Sequence, residues 1–349
     1  MQEFTQENEM EDLFMTRISF ETMKNEIKRV LLSVGMEEKK ADICAQIHTE
    51  SSADGVYSHG LNRVSRFVDY AKRGWVDVNA EPTLVNKFSS VENYDGNMGP
   101  GILNAKFAMN RAMEIASSQG IGLVTLKNTT HWMRGGTYGW DAANKGYIGI
   151  LWTNTESCMP AWGSKSTCVG NNPFIMAVPR EKGNIVLDMA MSQYSYGKLQ
   201  VTRLKNELLP FPGGFDKEGN LTSEPGPIEE SMRILPMGYW KGSGFSILLD
   251  VISAVISGGL ATAEIDKVQK GSCGSCNQVF IAIDPYKILG KDQVEQLLDN
   301  TVEYIKGAQP TKDGGEIYYP GENSKNKRED QMKNGIVVDD GVWNELLSL

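Results

Sequence analysis

The chain holds only three histidines in 349 residues, and one of them, His59, stands in the stretch DGVYSHGLNR over 54–63. Gly55 and Gly60 flank it, and Arg63 follows four positions on. An imidazole gives and retakes a proton near neutral pH because its ordinary pKa is about 6.5. A guanidinium offers a planar pair of donors that matches a carboxylate better than a lysine does. Spaced by one helical turn, the two groups suit a small-molecule reductase. One clamps a carboxylate while the other serves as proton donor. The competing reading of His59 is a turn histidine that satisfies its own loop.

A second cluster, NTTHWMRGGTYGW over 128–140, carries His131 and Arg134. It too reads two ways: a ring and a guanidinium brought to the hydroxyl-bearing end of a substrate, or a histidine that completes a loop. His48 falls in mid-helix and reads as structural. Asp188 ends a β-prone run, followed by small residues and Lys198. Strand ends collect ligands in α/β folds, yet a carboxylate there also serves as the cap of the helix that follows. A carboxylate that accepts the second N–H of a catalytic histidine orients it, and Asp188 is expected to do this for His59.

Other chemistries find less support. No G-x-G-x-x-G follows a first strand; WKGSGF over 240–245 comes nearest, either as an anion cradle at a helix start or as glycine punctuation. Ser58 beside His59 does not make a hydrolase, since nucleophile and base meet in space and no G-x-S-x-G elbow is present. CGSC at 273–276 is half a zinc site, with no second pair to complete it, so no metal is expected. A net charge of −9 and a pI near 5.1 argue against nucleic acid or an anionic membrane surface as partner.

Elements must position these groups. Met23, Ile27, Val30, Leu31 and Val34 keep helical spacing after a Ser19 cap and stop at Gly35. A second helix is expected over 37–52, broken by DGVYSHG, with the pattern resuming over 63–73. Short β-prone runs at 121–126, 148–153, 174–178, 185–187 and 279–283 mark a sheet, with helices over 101–118 and 294–305. The apolar run 245–256 is too short for a bilayer span of about 20 residues and reads as a buried helix opening near Ser243. Residues 310–328 read as a long polar loop, and 336–349 as a strand and a docking helix. The acidic start lacks the features of a signal peptide and reads as a solvated tail. Five cysteines, an odd number, suit reduced thiols in the cytoplasm.

Taken together, these loops resemble the malate/L-lactate dehydrogenase family that lacks a Rossmann domain. The matching stretches are GVYSHGLNR (55–63), NTTHWMRGGTYGW (128–140), GYIGILWTN (146–154), DMAMSQYSYG (188–197), GGFDKEGNLTSEPG (213–226), RILPMGYWKGSG (233–244) and GIVVDDGVW (335–343). The resemblance implies an α/β (α+β) fold: a mixed central sheet over 86–289, and a helical domain built from both chain ends, 16–85 with 290–349, after a tail over 1–15. It implies a homodimer with NAD(P)H, preferably NADH, in an extended cleft. It assigns His59 as acid/base, Asp188 beside it, and Arg63 as the carboxylate clamp.

Cofactor contacts would come from Asn184, Ile185, Val186, Leu187, Asp188, Met189 and Ala190, from Trp240 and Lys241, and from Gly321, Glu322 and Asn323. The activity implied is reduction of a 2-keto sugar acid, with His131 and Arg134 toward its polyol end. Oxidoreduction of malate, lactate, ureidoglycolate or a cyclic imino acid is the alternative within the family. Two stretches depart from the expected pattern: Asn171 stands where a threonine is expected, and CGSC has no expected counterpart.

Overall fold

The computed structural model describes residues 15–311 and 314–349. Its first helix, α1 (Phe20–Ser33), starts as expected: Ser19 Oγ accepts from Thr22 N, and Met23, Ile27, Val30 and Leu31 are buried. Helix α2 (Glu38–Ala53) buries a stripe of small residues, among them Ala41, Cys44, Ala45 and Ser52. Two single turns, Tyr57–His59 and Leu61–Arg63, then lead into α3 (Val64–Lys72).

The centre is a seven-stranded mixed sheet. Its strands are β1 (Thr83–Phe88), β2 (Val91–Asp95), β3 (Ile121–Thr129), β4 (Ile148–Thr153), β5 (Phe174–Val178), β6 (Ile185–Met189) and β7 (Cys276–Ile283). The order is β1-β2-β3-β7-β4-β5-β6, and only β2 and β3 run parallel. The helix α4 (Gly101–Gln119) makes that crossover. Side chains alternate across a strand, and the two faces build two cores. Val124, Leu126, Leu151, Ile175 and Phe280 pack with α4 and the N-terminal helices. Leu123, Trp152, Phe174, Val279 and Ile281 pack on the other face with Leu249.

On the first face, α5 (Gly135–Asn144) lies against β4 and β5. On the second, α6 (Tyr196–Leu204) follows the end of β6, and α7 (Trp240–Ser257) crosses the sheet. The C-terminal part adds α8 (Lys291–Lys306), α9 (Glu322–Asn334) and α10 (Asp340–Ser348). The strand Ile336–Asp339 pairs antiparallel with Met15–Ile18, and Ile336, Val338 and Leu346 join the same core as α1. Both chain ends therefore meet in one helical layer.

Two expectations need correction. The apolar helix starts at Trp240, earlier than expected, and is not buried all round. Gly242, Ser243, Ser246, Leu249, Ser253 and Ser257 face the sheet, while Leu248, Val251 and Val255 point outward. The serines sit inside because their hydroxyls find local partners: Ser246 donates to Gly170 O, Ser253 to Leu249 O and Ser257 to Ser253 O. By length and composition this helix is apolar enough to cross a membrane; here it is docked on the sheet along one face.

The polar loop over 310–328 ends early, because α9 begins at Glu322. Only Gln331 is buried in that helix, so it has no apolar stripe by which a sequence pattern could reveal it. Strand β1 spans the expected domain boundary at 85. The tail over 1–15 lies outside the described residues except for Met15, whose backbone already pairs with Asp339.

Candidate active site

The residue after His59 fixes the approach of its loop to α2. A Cβ on Gly60 would lie 2.1 Å from Ser52 Oγ and 2.9 Å from His48 O, so only glycine lets the backbone pass so closely. The chain is tied there twice: Leu61 N donates to Ser52 Oγ at 2.9 Å, and His48 Nδ1 meets Gly60 O at 3.0 Å. His48 is structural, as its mid-helix position suggests. The glycine serves this docking rather than clearing space for a ligand around His59.

Above this anchor, His59 Nδ1 lies 2.9 Å from Ser58 Oγ. Its ring stands 5.7 Å from that of His131, tilted by 30°. His131 Nδ1 accepts from Met133 N at 2.9 Å, so in the neutral ring the proton resides on Nε2. Burial, then the cations Arg63 and Arg134, push the His59 pKa down to about 3. Burial first, and then Arg63, holds His131 well below its ordinary value. Both rings are neutral at pH 7.

Arg63 is half-buried beside them; its guanidinium makes no hydrogen bond or ion pair among the described residues, and its Nε is buried without a partner. With Arg66, Tyr70, Thr130, His131 and Cys273 it lines a small cavity. A guanidinium with free donors beside a cavity has the chemistry to receive a carboxylate or a hydroxyl.

Arg134 has a different setting. It is buried, donates through Nη1 to Asp54, and its Nε stands 3.6 Å from Asp188. Asp54 also takes Arg328 Nη1 at 2.8 Å, which ties α9 to the loop leading to His59. Asp188 Oδ2 accepts from Gly136 N at 2.9 Å, at the start of α5. The expected hydrogen bond between Asp188 and His59 is therefore absent; Ser58 takes that place. Nor does Asp188 cap the helix after it, a role filled by Ser195 for α6.

The segments expected to hold a cofactor converge in part. β6 is the sheet's edge strand and carries Ile185 to Met189, with Ala190 just beyond. The turn before α9 docks on it: Val186 N donates to Pro320 O at 2.9 Å. Gly321 sits at φ +94°, where a Cβ would lie 3.1 Å from Val186 N and 3.1 Å from Trp140 Cζ2. Glu322 is bound by Lys306, and Asn323 is exposed.

A cleft of about 970 Å³ opens beside this junction. Asn184 lies in its wall, as do Ser324, Lys325 and Arg328, which follow Asn323 directly. Further cations in the same wall, Lys106, Lys145 and Arg180, suit paired phosphates, so the residues present fit a dinucleotide. Trp240 and Lys241 stand apart from that cleft. They lie past Met191, whose carbonyl accepts from Met237 N, and Trp240 is exposed near Trp162 and Tyr239.

Asp54 and Glu156, which lie near these groups, are not singled out from sequence, and Ser58 is considered there only as a hydrolase nucleophile. Asp54 and Ser58 lie inside the motif of His59, which is the signal that was available; Glu156 has none. The five cysteines are free, as expected, and no cluster fit for a metal occurs among the described residues.

Comparison with known proteins places this geometry in context. Residues 18–347 match the family model described as malate/L-lactate dehydrogenase. Proteins named 2,3-diketo-L-gulonate reductase from Citrobacter koseri and Escherichia coli are 44% identical over 333 residues, covering 95% of this chain and 100% of theirs. Among solved structures, sulfolactate dehydrogenase from Methanocaldococcus jannaschii superposes with a TM-score of 0.87 at 29% identity, covering 95% of each chain. Malate dehydrogenase from Pyrococcus horikoshii does so with 0.88 at 26% identity, covering 97% of this chain and 96% of its own.

Proposed function

This chain belongs to the malate/L-lactate dehydrogenase family, a family of oxidoreductases acting on hydroxy and keto acids with a nicotinamide cofactor, and on that premise we propose that it reduces a 2-keto sugar acid. The substrate we assign is 2,3-diketo-L-gulonate, reduced to 3-keto-L-gulonate, which is the substrate in the name of relatives 44% identical along their whole length. The single structural observation that carries the reading is Arg63: a guanidinium without a hydrogen-bond partner among the described residues, in a cavity shared with His131 and in the turn after that of His59. A malate- or lactate-type activity is the alternative, favoured only if the pocket rejects hydroxylated chains.

In this reading the nicotinamide, when bound, supplies the hydride that reaches the keto carbon. Arg63 holds the substrate carboxylate, and the His131 Nε2–H donates to an oxygen of the substrate. His59 delivers the proton to the carbonyl oxygen from Nε2. Its Nδ1–H stays on Ser58 Oγ, which leaves the neutral ring in the right tautomer after transfer. The cations that depress the His59 pKa are offset when an anion settles on Arg63, so substrate binding draws a proton onto His59.

Arg134 we assign a supporting role, since Asp54 and Asp188 already meet its charge. Asp188 then anchors Arg134 and the start of α5 beside the cofactor strand. Asn184 to Ala190 and Gly321 to Asn323 flank the cofactor cleft. Asp42, Glu50 and Asp141 in its wall suit ribose hydroxyls and oppose an added 2′-phosphate, which supports NADH over NADPH.

The outward apolar stripe of α7 supports a homodimer, in which Trp240 and Lys241 would be covered; Val255→Glu should then yield a monomer by sedimentation velocity. Free cysteines support a reducing, cytoplasmic setting. The direct test of the function is cofactor oxidation at 340 nm with 2,3-diketo-L-gulonate, pyruvate and oxaloacetate, each with NADH and NADPH. Preference for the diketo acid with NADH is expected. Preference for pyruvate or oxaloacetate would move the protein to the alternative.

A further inference from the structure

The loop after β4 carries a carboxylate that the mechanism above does not use. Glu156 Oε2 is buried and has no hydrogen-bond partner among the described residues. A buried acceptor left unpaired is costly and rare in folded proteins. The loop is not free to turn it away. Thr155 N donates to Asn172 Oδ1 at 3.0 Å, Ser157 N to Asp266 Oδ1 at 2.8 Å, and Thr262 Oγ1 to Thr155 O at 2.9 Å.

Glu156 thus sits clamped from both sides, facing the charges of Arg63, Arg66 and Asp266. It lies within electrostatic reach of Cys273, which shares the small cavity with Arg63 and His131. Yet no ion pair joins Glu156 to Arg63 or Arg66: each of these opposite charges keeps its distance from the other. Burial raises the Glu156 pKa, against the lowering by a hydrogen bond from its own backbone N–H and by Arg63 and Arg66.

The Arg63 Nε and the Glu156 Oε2, opposite in charge and each buried without a hydrogen-bond partner, lie within electrostatic reach of each other. A ligand that satisfies both carries a negative end and, a few bonds away, a hydroxyl donor. We propose that Glu156 is a specificity-determining residue, accepting a hydrogen bond from a chain hydroxyl of the substrate whose carboxylate rests on Arg63. This rests on the keto sugar acid reading. Pyruvate has no hydroxyl to offer and gains nothing from Glu156. A site built to bond a hydroxyl rejects the analogue lacking it, because its buried polar group stays unpaired.

The test uses the full-length enzyme, wild type beside Glu156→Leu and Glu156→Gln, with kcat/KM for 2,3-diketo-L-gulonate and for pyruvate, and the thermal midpoint of each variant. Glu156→Leu should lose about 10- to 100-fold with the diketo acid and change little with pyruvate. Glu156→Gln, which keeps an acceptor oxygen, should retain most of the activity. The Leu variant should melt no lower than wild type, since it removes an unpaired buried carboxylate; a purely structural glutamate would lower it. Equal losses with both acids, or an unchanged preference in Glu156→Leu while the diketo acid is still turned over, would overturn the role of Glu156 alone. Wild-type enzyme that reduces pyruvate but no hydroxylated keto acid would overturn the substrate reading and this proposal with it.

Discussion

Two polar regions lie within a few residues of each other and could hardly be organised more differently. Along the Asp54–Arg134–Asp188 line, charges are met: Asp54 binds both Arg134 and Arg328, and Asp188 holds Gly136 N and stands 3.6 Å from Arg134 Nε, though that nitrogen itself makes no hydrogen bond. Around His59, Arg63 and Glu156 they are not; Arg63 has no partner and Glu156 Oε2 is orphaned. Folding satisfies buried polar groups wherever nothing else will. In the reading proposed above, the paired region holds the fold and the unpaired one receives the ligand. Both contain an arginine next to a motif histidine, and only their partners distinguish a strut from a receptor.

Substitutions on the two sides should separate along that line. The largest effect is expected from His59→Ala, a fall in kcat of about 10²–10⁴-fold with the melting midpoint unmoved, measured by steady-state kinetics and calorimetry. Asp54→Ala should act on the other axis. It strands the buried Arg134 and frees Arg328, costing about 3–5 kcal/mol of stability by denaturant titration. Arg63→Gln comes next, raising the KM for the keto acid by about 10- to 100-fold with little loss of stability.

A smaller effect is expected from pH. His48 is held down to about 4 and His59 to about 3, while in the unfolded chain each titrates near its ordinary value. The unfolded state then binds more protons below about 6.5. Stability should be full above that value and decline as the pH falls toward the folded-state values. A midpoint that rises between pH 7 and pH 5 would contradict the burial of these rings.

Much of the architecture was legible in the sequence. The spacing of Met23, Ile27, Val30 and Leu31 placed α1, and the β-prone runs placed five of the seven sheet strands, because each carries a one-sided or buried apolar pattern. β1 escaped because its six residues are all exposed, and α9 because it is polar on every side. The outward face of α7 was unreadable for the opposite reason. Apolar residues on a helix report a tendency to be buried, but nothing in the sequence says which partner covers them.

At the site, the residue types and the SHG-to-arginine spacing led to His59 and Arg63, and the family resemblance led to the cofactor segments. What failed was pairing across distance. Asp188 was matched to His59 because a carboxylate commonly orients a histidine, whereas the nearest hydroxyl, Ser58, holds that position. The Arg134 link to Asp54 spans 80 positions and leaves no trace in local pattern, and Glu156 lies in a loop whose importance shows only in what it lacks.

The division between receptor and strut is tested most directly by Arg63→Gln and Arg134→Gln measured side by side, each for its melting midpoint and its KM with the keto acid. The account predicts that the Arg63 variant keeps the wild-type midpoint and loses substrate affinity, while the Arg134 variant melts well below wild type. A destabilised Arg63 variant with unchanged KM, beside an Arg134 variant of native stability that no longer binds substrate, would contradict it.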